Sequence, residues 1–315
     1  MNYRSKRLIF ASGTDWSVEF LETLIKEGFK VIGVIAPPDS KKDRNQKLVS
    51  HLIKEEAQKL NIPILQPEKL SDKKFLKEFY KLKSDMVVVV AYGKLFPKEI
   101  LEVPKYGFIN FHPSLLPELR GPSPISSAIL LGLKETGVSI MKLGEGMDDG
   151  PLLAQEKVKI SPRETSEKLT RKLVERGNKI LPEVLKKYLS SMRHGTYLSE
   201  QDHKKATFCK MLSKEDGKIN WQKETAEQID RKIRALNPQF KTFAYLENKK
   251  RVNILETVGM CHVTYLPGEY QLSGDDLAIG TKQGNLLVSK LQVEGKKLIT
   301  ATEFALGYGV KGKLL

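Results

Sequence analysis

Apolar and polar positions alternate along the chain in short, strongly patterned segments. Residues 8–11 are an apolar run that predicts a strand, and residues 17–28 place Val18, Leu21, Leu24 and Ile25 on one helical face, with Gly28 as the stop. A second apolar run at 31–35 completes a β-α-β opening of doubly wound character. Residues 48–60 and 72–82 carry the repeat of amphipathic helices, and 86–91 are apolar throughout, as suits a central parallel strand covered on both faces. A short helix at 97–101 leads to a strand at 107–111, and 125–131 reads as a helix with Pro124 near its first turn. Residues 136–143 and 152–160 alternate, which predicts strands exposed on one side. A long basic helix at 165–189 follows.

The texture then changes. Residues 191–206, with Met192, Arg193, His194 and Gly195, are expected as a linker. One helix at 224–235 precedes short strands with glycine-rich turns from 243 to 310, which predict a small β-barrel. The expected organisation is a domain at 1–190, a linker at 191–206 and a smaller domain at 207–315; 315 residues suffice for two cores.

Composition removes several function classes. Apolar runs fall far short of the roughly 20 residues of a membrane span, and 8–11 is too short for the apolar part of a signal peptide, so a cytoplasmic protein is expected. Cys209 and Cys261 stand far apart without metal-ligand spacing, which suits thiols in a reducing compartment and predicts no metal. The turn Ala11-Ser12-Gly13-Thr14 lacks Gly-x-Gly-x-x-Gly, which argues against a nicotinamide cofactor. The 53 Lys+Arg against 38 Asp+Glu give a net charge of +15, spread over both parts of the chain. Such an excess attracts polyanions and makes their binding salt-dependent.

The chemistry concentrates at 110–124. Four prolines and Gly121 keep this stretch out of regular structure. It is a stiff loop leaving the carboxyl end of a strand, where α/β sheets bind ligands. Asn110 and His112 are two residues apart, hence on one face of an extended strand. A carboxamide donor beside a tunable acid/base suits acyl transfer.

Together Asn110, His112, Ser114-Leu115-Leu116-Pro117 and Arg120-Gly121 resemble the loop of the 10-formyltetrahydrofolate-dependent formyltransferases. Gly146-Met147-Asp148-Asp149-Gly150 resembles that family's downstream Gly-x-Asp-x-Gly. The resemblance implies a Rossmann-like parallel-sheet domain followed by an OB-like barrel, and formyl transfer from 10-formyltetrahydrofolate to an amine without a metal. Asn110 would be the oxyanion donor, with a second hydrogen bond available from His112. Asp148 would orient the imidazole; which of His112 and Asp148 takes the amine proton is left open. Asp149 reads as a turn former. Ser114, Leu115, Leu116 and Pro117 would line the folate site, with Tyr92-Gly93 matching the family's Ala-Tyr-Gly turn. Arg120 either contacts substrate or braces its loop.

The version Arg120-Gly121-Pro122-Ser123-Pro124 is most similar to that of the family members acting on methionyl-tRNA. The polar stretch 36–47 is similar in length and charge to the basic loop those members insert at the acceptor end. Lys41, Lys42, Arg44 and Lys47 are the matching positions; Arg44 leads because a guanidinium can hold a phosphate and stack on a base. The segments 234–238, 295–297 and 303–304 resemble their C-terminal domain. Methionyl initiator tRNA is therefore the expected partner of a monomeric enzyme. Ser12-Gly13-Thr14 departs from the family's Gly-Thr-Pro. Transfer to a small amine, as on glycinamide ribonucleotide or a nucleotide-linked amino sugar, and a non-catalytic RNA-binding protein are the alternatives. The basic loop and barrel weigh against the first, and intact Asn110, His112 and Asp148 against the second.

Overall fold

The computed structural model describes residues 3–41, 48–49, 51–191, 198–261 and 265–315. Two compact units result: Met1–Pro124 with Glu135–Lys159 and Thr170–Cys209, and Lys210–Leu315 with Ile125–Lys134 and Ile160–Leu169.

In chain order the first part contains β1 (Arg7–Ser12), α1 (Val18–Lys26), β2 (Lys30–Ile35), β3 (Ser40–Lys41), β4 (Leu48–Val49), α2 (Leu52–Lys59), β5 (Ile64–Leu65), α3 (Lys73–Leu82), β6 (Met86–Val90), α4 (Lys98–Leu101), β7 (Phe108–His112), α5 (Pro124–Leu130), β8 (Glu135–Lys142), β9 (Leu152–Lys159) and α6 (Ser166–Ser191). The main sheet runs β5-β2-β1-β6-β7-β8-β9. It is parallel from β5 to β7 and antiparallel across β8 and β9. The strand period of two assigns side chains to its two faces. Ile9, Ala11, Val87, Val89 and Phe108 pack with Phe75 and Phe79 of α3 in one core. Phe111, of opposite parity, meets Phe20 of α1 with ring centroids 4.7 Å apart. Gly177 in α6 makes room there, since a Cβ would strike both rings. Asn110 and His112 share the parity of Phe108. Asn110 is level with Val89 at the end of the apolar layer, and His112 lies one step further, where the strand runs out.

Two details differ from expectation. Leu48 and Val49 pair with Ser40 and Lys41 as a short hairpin, so α2 starts only at Leu52. Strand β8 is buried on both faces, not one. It lies between β7 and β9, and the loop at 114–116 covers it: Leu115 sits where a Cβ on Gly137 would be.

The second unit has α7 (Ala226–Leu236), β10 (Thr242–Tyr245), β11 (Arg251–Cys261), β12 (Glu269–Ser273), β13 (Asp276–Gly280), β14 (Asn285–Val293), β15 (Ile299–Thr300), α8 (Ala301–Tyr308) and β16 (Lys311–Lys313). Its antiparallel order is β10-β11-β14-β13-β12-β16, with β15 on β14. Tyr245 and Leu315 exchange backbone hydrogen bonds at 3.0 and 2.7 Å, joining the first strand to the chain end and curling the sheet into a barrel. Trp221, Ile229, Ile233, Ile254, Ile279, Val288 and Phe304 lie in its core. Helix α8 was expected as strand; Thr300 and Glu303 form a reciprocal cap that starts it. Asp230, buried within this unit, is held by Arg163 Nη1 at 2.7 Å, Arg234 Nε at 2.8 Å and Thr257 Oγ1 at 2.5 Å.

Candidate active site

Strand β7 ends at His112 and carries Asn110 and His112 on one side, both buried. Asn110 is paired with Val89 of β6 and Met141 of β8, so its carboxamide stands where parallel pairing gives way to antiparallel. Asp148 comes from the β8–β9 turn, and its carboxylate gathers three polar groups. Asn110 Nδ2 lies 3.4 Å from Oδ1, the Gly121 N–H donates to Oδ2 at 2.9 Å, and His112 Nδ1 is 3.6 Å from Oδ2. The Asp148 side chain is 16% exposed against 5% for His112, so the carboxylate is the member of the pair that a substrate can reach.

His112 Nε2 is 3.0 Å from the Leu119 carbonyl oxygen. A carbonyl only accepts, so Nε2 carries a hydrogen and Nδ1 is the nitrogen turned to Asp148. With one proton between Nδ1 and the carboxylate the two attract; without it, two acceptors face each other. Both imidazole nitrogens are thus engaged inside the protein, and neither is aimed outward as a second oxyanion donor.

The loop after His112 is stitched to the sheet. Ser114 Oγ donates to Glu118 O at 2.6 Å, Ser139 Oγ donates to Ser114 O at 2.6 Å, and the Leu116 N–H donates to Ser139 Oγ at 3.1 Å. Gln155 Nε2 donates to Leu116 O at 2.8 Å. Ser114 and Leu116 are buried, while Leu115 and Pro117 are half-buried. Further on, Arg120 N–H donates to Thr207 O at 2.9 Å and Cys209 N–H to Arg120 O at 2.8 Å, so 207–209 runs alongside the loop. Gly121 has φ 112°, and a Cβ on it would stand 2.5 Å from the Cys209 carbonyl oxygen. Only glycine fits that turn while presenting its N–H to Asp148.

Of the stretch expected as a linker, 192–197 lie outside the described residues, and the chain from Ser199 to Cys209 belongs to the first unit. Ser199 exchanges backbone bonds with Leu152, and Gln201 Nε2 donates to Asp148 O and Gly150 O. Arg120 is buried and braces the loop, with Nη2 2.7 Å from Gln201 Oε1. Gln201 and Thr207 carried no periodic or motif signal, so sequence reasoning missed them.

The remaining predicted residues are dispersed. Tyr92 lies in the apolar core, stacked on Phe96 with centroids 5.2 Å apart. Its hydroxyl has no hydrogen-bond partner among the described residues, and burial pushes its pKa up to about 12. Gly93, at φ 78°, is exposed with open space beside its Cα. Asp149 turns its carboxylate into the space that Gly144 and Gly146 leave, and a Cβ on Gly150 would strike the Lys142 carbonyl. Lys41 belongs to β3; Lys42, Arg44 and Lys47 lie outside the described residues. Among the described residues no cluster of three His, Cys, Asp or Glu could hold a metal, and no helix is long and apolar enough to cross a membrane.

A buried carboxamide, an imidazole and a reachable carboxylate converge at a strand end, the set of groups that acyl transfer calls for; residues 5–185 match the formyl transferase family, residues 211–309 the formyl transferase C-terminal domain. The chain belongs to the formyl transferase family. Its relatives carry a narrower name. The methionyl-tRNA formyltransferase of Thermodesulfovibrio yellowstonii is 37% identical over 303 residues, covering 96% of each chain. That of Buchnera aphidicola is 39% identical over 295 residues, 93% of this chain and 92% of its own. Among solved structures, the N-formyltransferase of Helicobacter canadensis in complex with folinic acid and dTDP-3-aminofucose is similar in fold. Its TM-score is 0.66 at 19% identity, over 90% of this chain and 98% of that one.

Proposed function

We propose that this enzyme transfers the formyl group of 10-formyltetrahydrofolate to the free amino group of methionyl initiator tRNA, giving formylmethionyl-tRNA for translation initiation. The observation that carries the chemistry is the convergence of Asn110, His112 and the Gly121 N–H on one accessible carboxylate, Asp148. The donor supplies a one-carbon acyl group already activated for attack. Asn110 turns its amide hydrogens from Asp148, a contact already long at 3.4 Å, to the oxygen that gains charge as the amine adds. The His112–Asp148 pair takes up the amine proton, the carboxylate meeting the amine with Nδ1 3.6 Å behind it, and the proton is passed to N10 of the donor as the carbon–N10 bond breaks and tetrahydrofolate leaves. An ordinary α-amino group titrates at about 7.7–8.0, so a large fraction of the amine is neutral near pH 7.

A folate suits the residues present. Gly93 leaves open space at the end of β6, the strand next to Asn110, and the stiff loop at 114–117 is fixed to β8. Leu115, Pro117 and Gly93 face the folate, while Ser114 and Leu116 hold the loop's shape and Tyr92 holds Gly93 from within the core. Lys41, Lys42, Arg44 and Lys47 grip the acceptor end through phosphates, and residues 1–190 and 207–315 act as catalytic and tRNA-binding domains of a cytoplasmic monomer. Identity of 37% to a methionyl-tRNA enzyme, against 19% to the amino-sugar enzyme, favours tRNA over a small amine. The test is formylation with 10-formyltetrahydrofolate of methionyl initiator tRNA, elongator methionyl-tRNA and an amino-sugar nucleotide side by side. Rapid formylation of the initiator alone is expected; transfer to the small amine alone refutes the tRNA reading. Arg44→Ala should lower the preference for initiator over elongator tRNA, and an unchanged preference removes the basic loop from the account.

A further inference from the structure

Gln201 takes no part in the chemistry above, yet its carboxamide uses every hydrogen-bonding position it has. Nε2 donates to Asp148 O at 2.9 Å and to Gly150 O at 2.6 Å, and Oε1 accepts from Arg120 Nε at 3.2 Å and Nη2 at 2.7 Å. Gln201 and Arg120 are each only 4% exposed. Arg120 Nη2 also lies 3.2 Å from His203 Nδ1. With its donors spent and its side chain buried, Gln201 has nothing to offer a substrate directly.

Its bonds fall on the Asp148 carbonyl itself and on the Gly150 carbonyl two residues on, pinning the backbone on the C-terminal side of Asp148. Asp148 has φ 49°, a left-handed conformation that residues with a side chain keep only where the surroundings hold it. Arg120 and Gly121 are neighbours, so the contacts close a ring. Gln201 ties the Arg120 side chain to the backbone of 148 and 150, and the Asp148 carboxylate ties back to the Gly121 N–H at 2.9 Å. We infer that Gln201 is a positioning residue: through that ring it holds the Asp148 backbone in its left-handed turn and so aims the carboxylate at His112 and the substrate amine. The inference rests on the proposed formyl transfer and adds a residue to it.

The test uses Gln201→Glu and Gln201→Leu, alone and combined with Asp148→Asn, in the full-length enzyme assayed with 10-formyltetrahydrofolate and methionyl initiator tRNA. At neutral pH a glutamate still accepts from Arg120 but has no hydrogens for the two carbonyls. That variant keeps a charge-assisted bond to Arg120, should still fold with a melting temperature lowered by several degrees, and serves if the leucine variant does not fold. Each single variant should lower kcat by about 10- to 100-fold and leave KM for both substrates within about threefold. In the Asp148→Asn background, the same changes should cost less than about twofold more, because a residue acting through Asp148 has nothing left to position. Additive losses in the double variants, a loss carried by KM, or wild-type kcat in both single variants would overturn the positioning role. If the wild type formylates no methionyl initiator tRNA, the proposed function fails and this role with it; additivity in an active wild type defeats the role alone.

Discussion

Replacing Asp148 by asparagine separates the acid/base work of this site from its architecture. The Gly121 N–H bond to Oδ2, at 2.9 Å, survives if the amide oxygen stays on that side, and the backbone bonds from Gln201 are untouched. What changes is the strength of one bond, from a charged to a neutral acceptor, so stability should fall by only about 1 kcal/mol. The amide nitrogen is then turned to Asn110 Nδ2, where two donors meet at 3.4 Å, and the amide cannot take a proton from the substrate. General acid/base catalysis is worth about 10²–10⁴ in rate, or roughly 2.7–5.4 kcal/mol at 1.36 kcal/mol per tenfold. The expected result is therefore a loss of kcat by about 10²–10⁴ with a melting temperature within a few degrees of wild type. Initial rates of methionyl initiator tRNA formylation at saturating donor, taken from pH 6 to 9, measure the first quantity and thermal unfolding the second. Turnover within threefold of wild type across that range would refute the role of Asp148 as proton acceptor. A collapse of the melting temperature would assign the loss to folding instead.

Asn110→Ala removes the proposed oxyanion donor and should cost about 2.7–4 kcal/mol in kcat, read in the same assay, with tRNA affinity by filter binding nearly unchanged. Tyr92→Phe deletes a buried hydroxyl that has no hydrogen-bond partner among the described residues, so it should be neutral or stabilise by up to about 1 kcal/mol in urea unfolding, with KM for the folate within twofold. Its pH dependence has a definite sign: Tyr92 is raised from 10.0 to about 12 by burial, so the unfolded chain ionises first and wild-type stability falls as pH climbs from about 10 to 12. The phenylalanine variant should lose less across that window, and identical slopes would contradict the burial. Asp230→Ala leaves Arg163 and Arg234 without their buried partner and should destabilise the second unit by about 3–5 kcal/mol, read by chemical unfolding.

Much of this protein was legible in the order of its residues, where local rules act alone. The unbroken apolar run of β6 marked a strand covered on both faces, while the alternation of β9 and the face of α1 followed from period, because burial of one side of an element leaves its period in the sequence. Asn110 and His112 were legible as a pair because a two-residue spacing on a strand fixes a shared face. Asp148 was legible only by resemblance, since no local rule brings residue 148 to residue 112. Helix α8 was legible in principle, through the spacing of Thr300 and Glu303, but its short apolar run reads equally as strand. Tertiary structure alone decided the rest. The double-sided burial of β8 depends on a loop from elsewhere lying over Gly137 and Ser139. The work of Gln201 and Thr207 depends on a backbone bridge from Ser199 to Leu152 and on the pairing of 207–209 with Arg120. Those are long-range closures, and a hydrogen bond between residues 47 to 89 positions apart leaves no period, cap or turn signal in the sequence on either side. The chain's order thus determined the elements and the identity of the candidate reacting groups; the distances between those groups were set by packing.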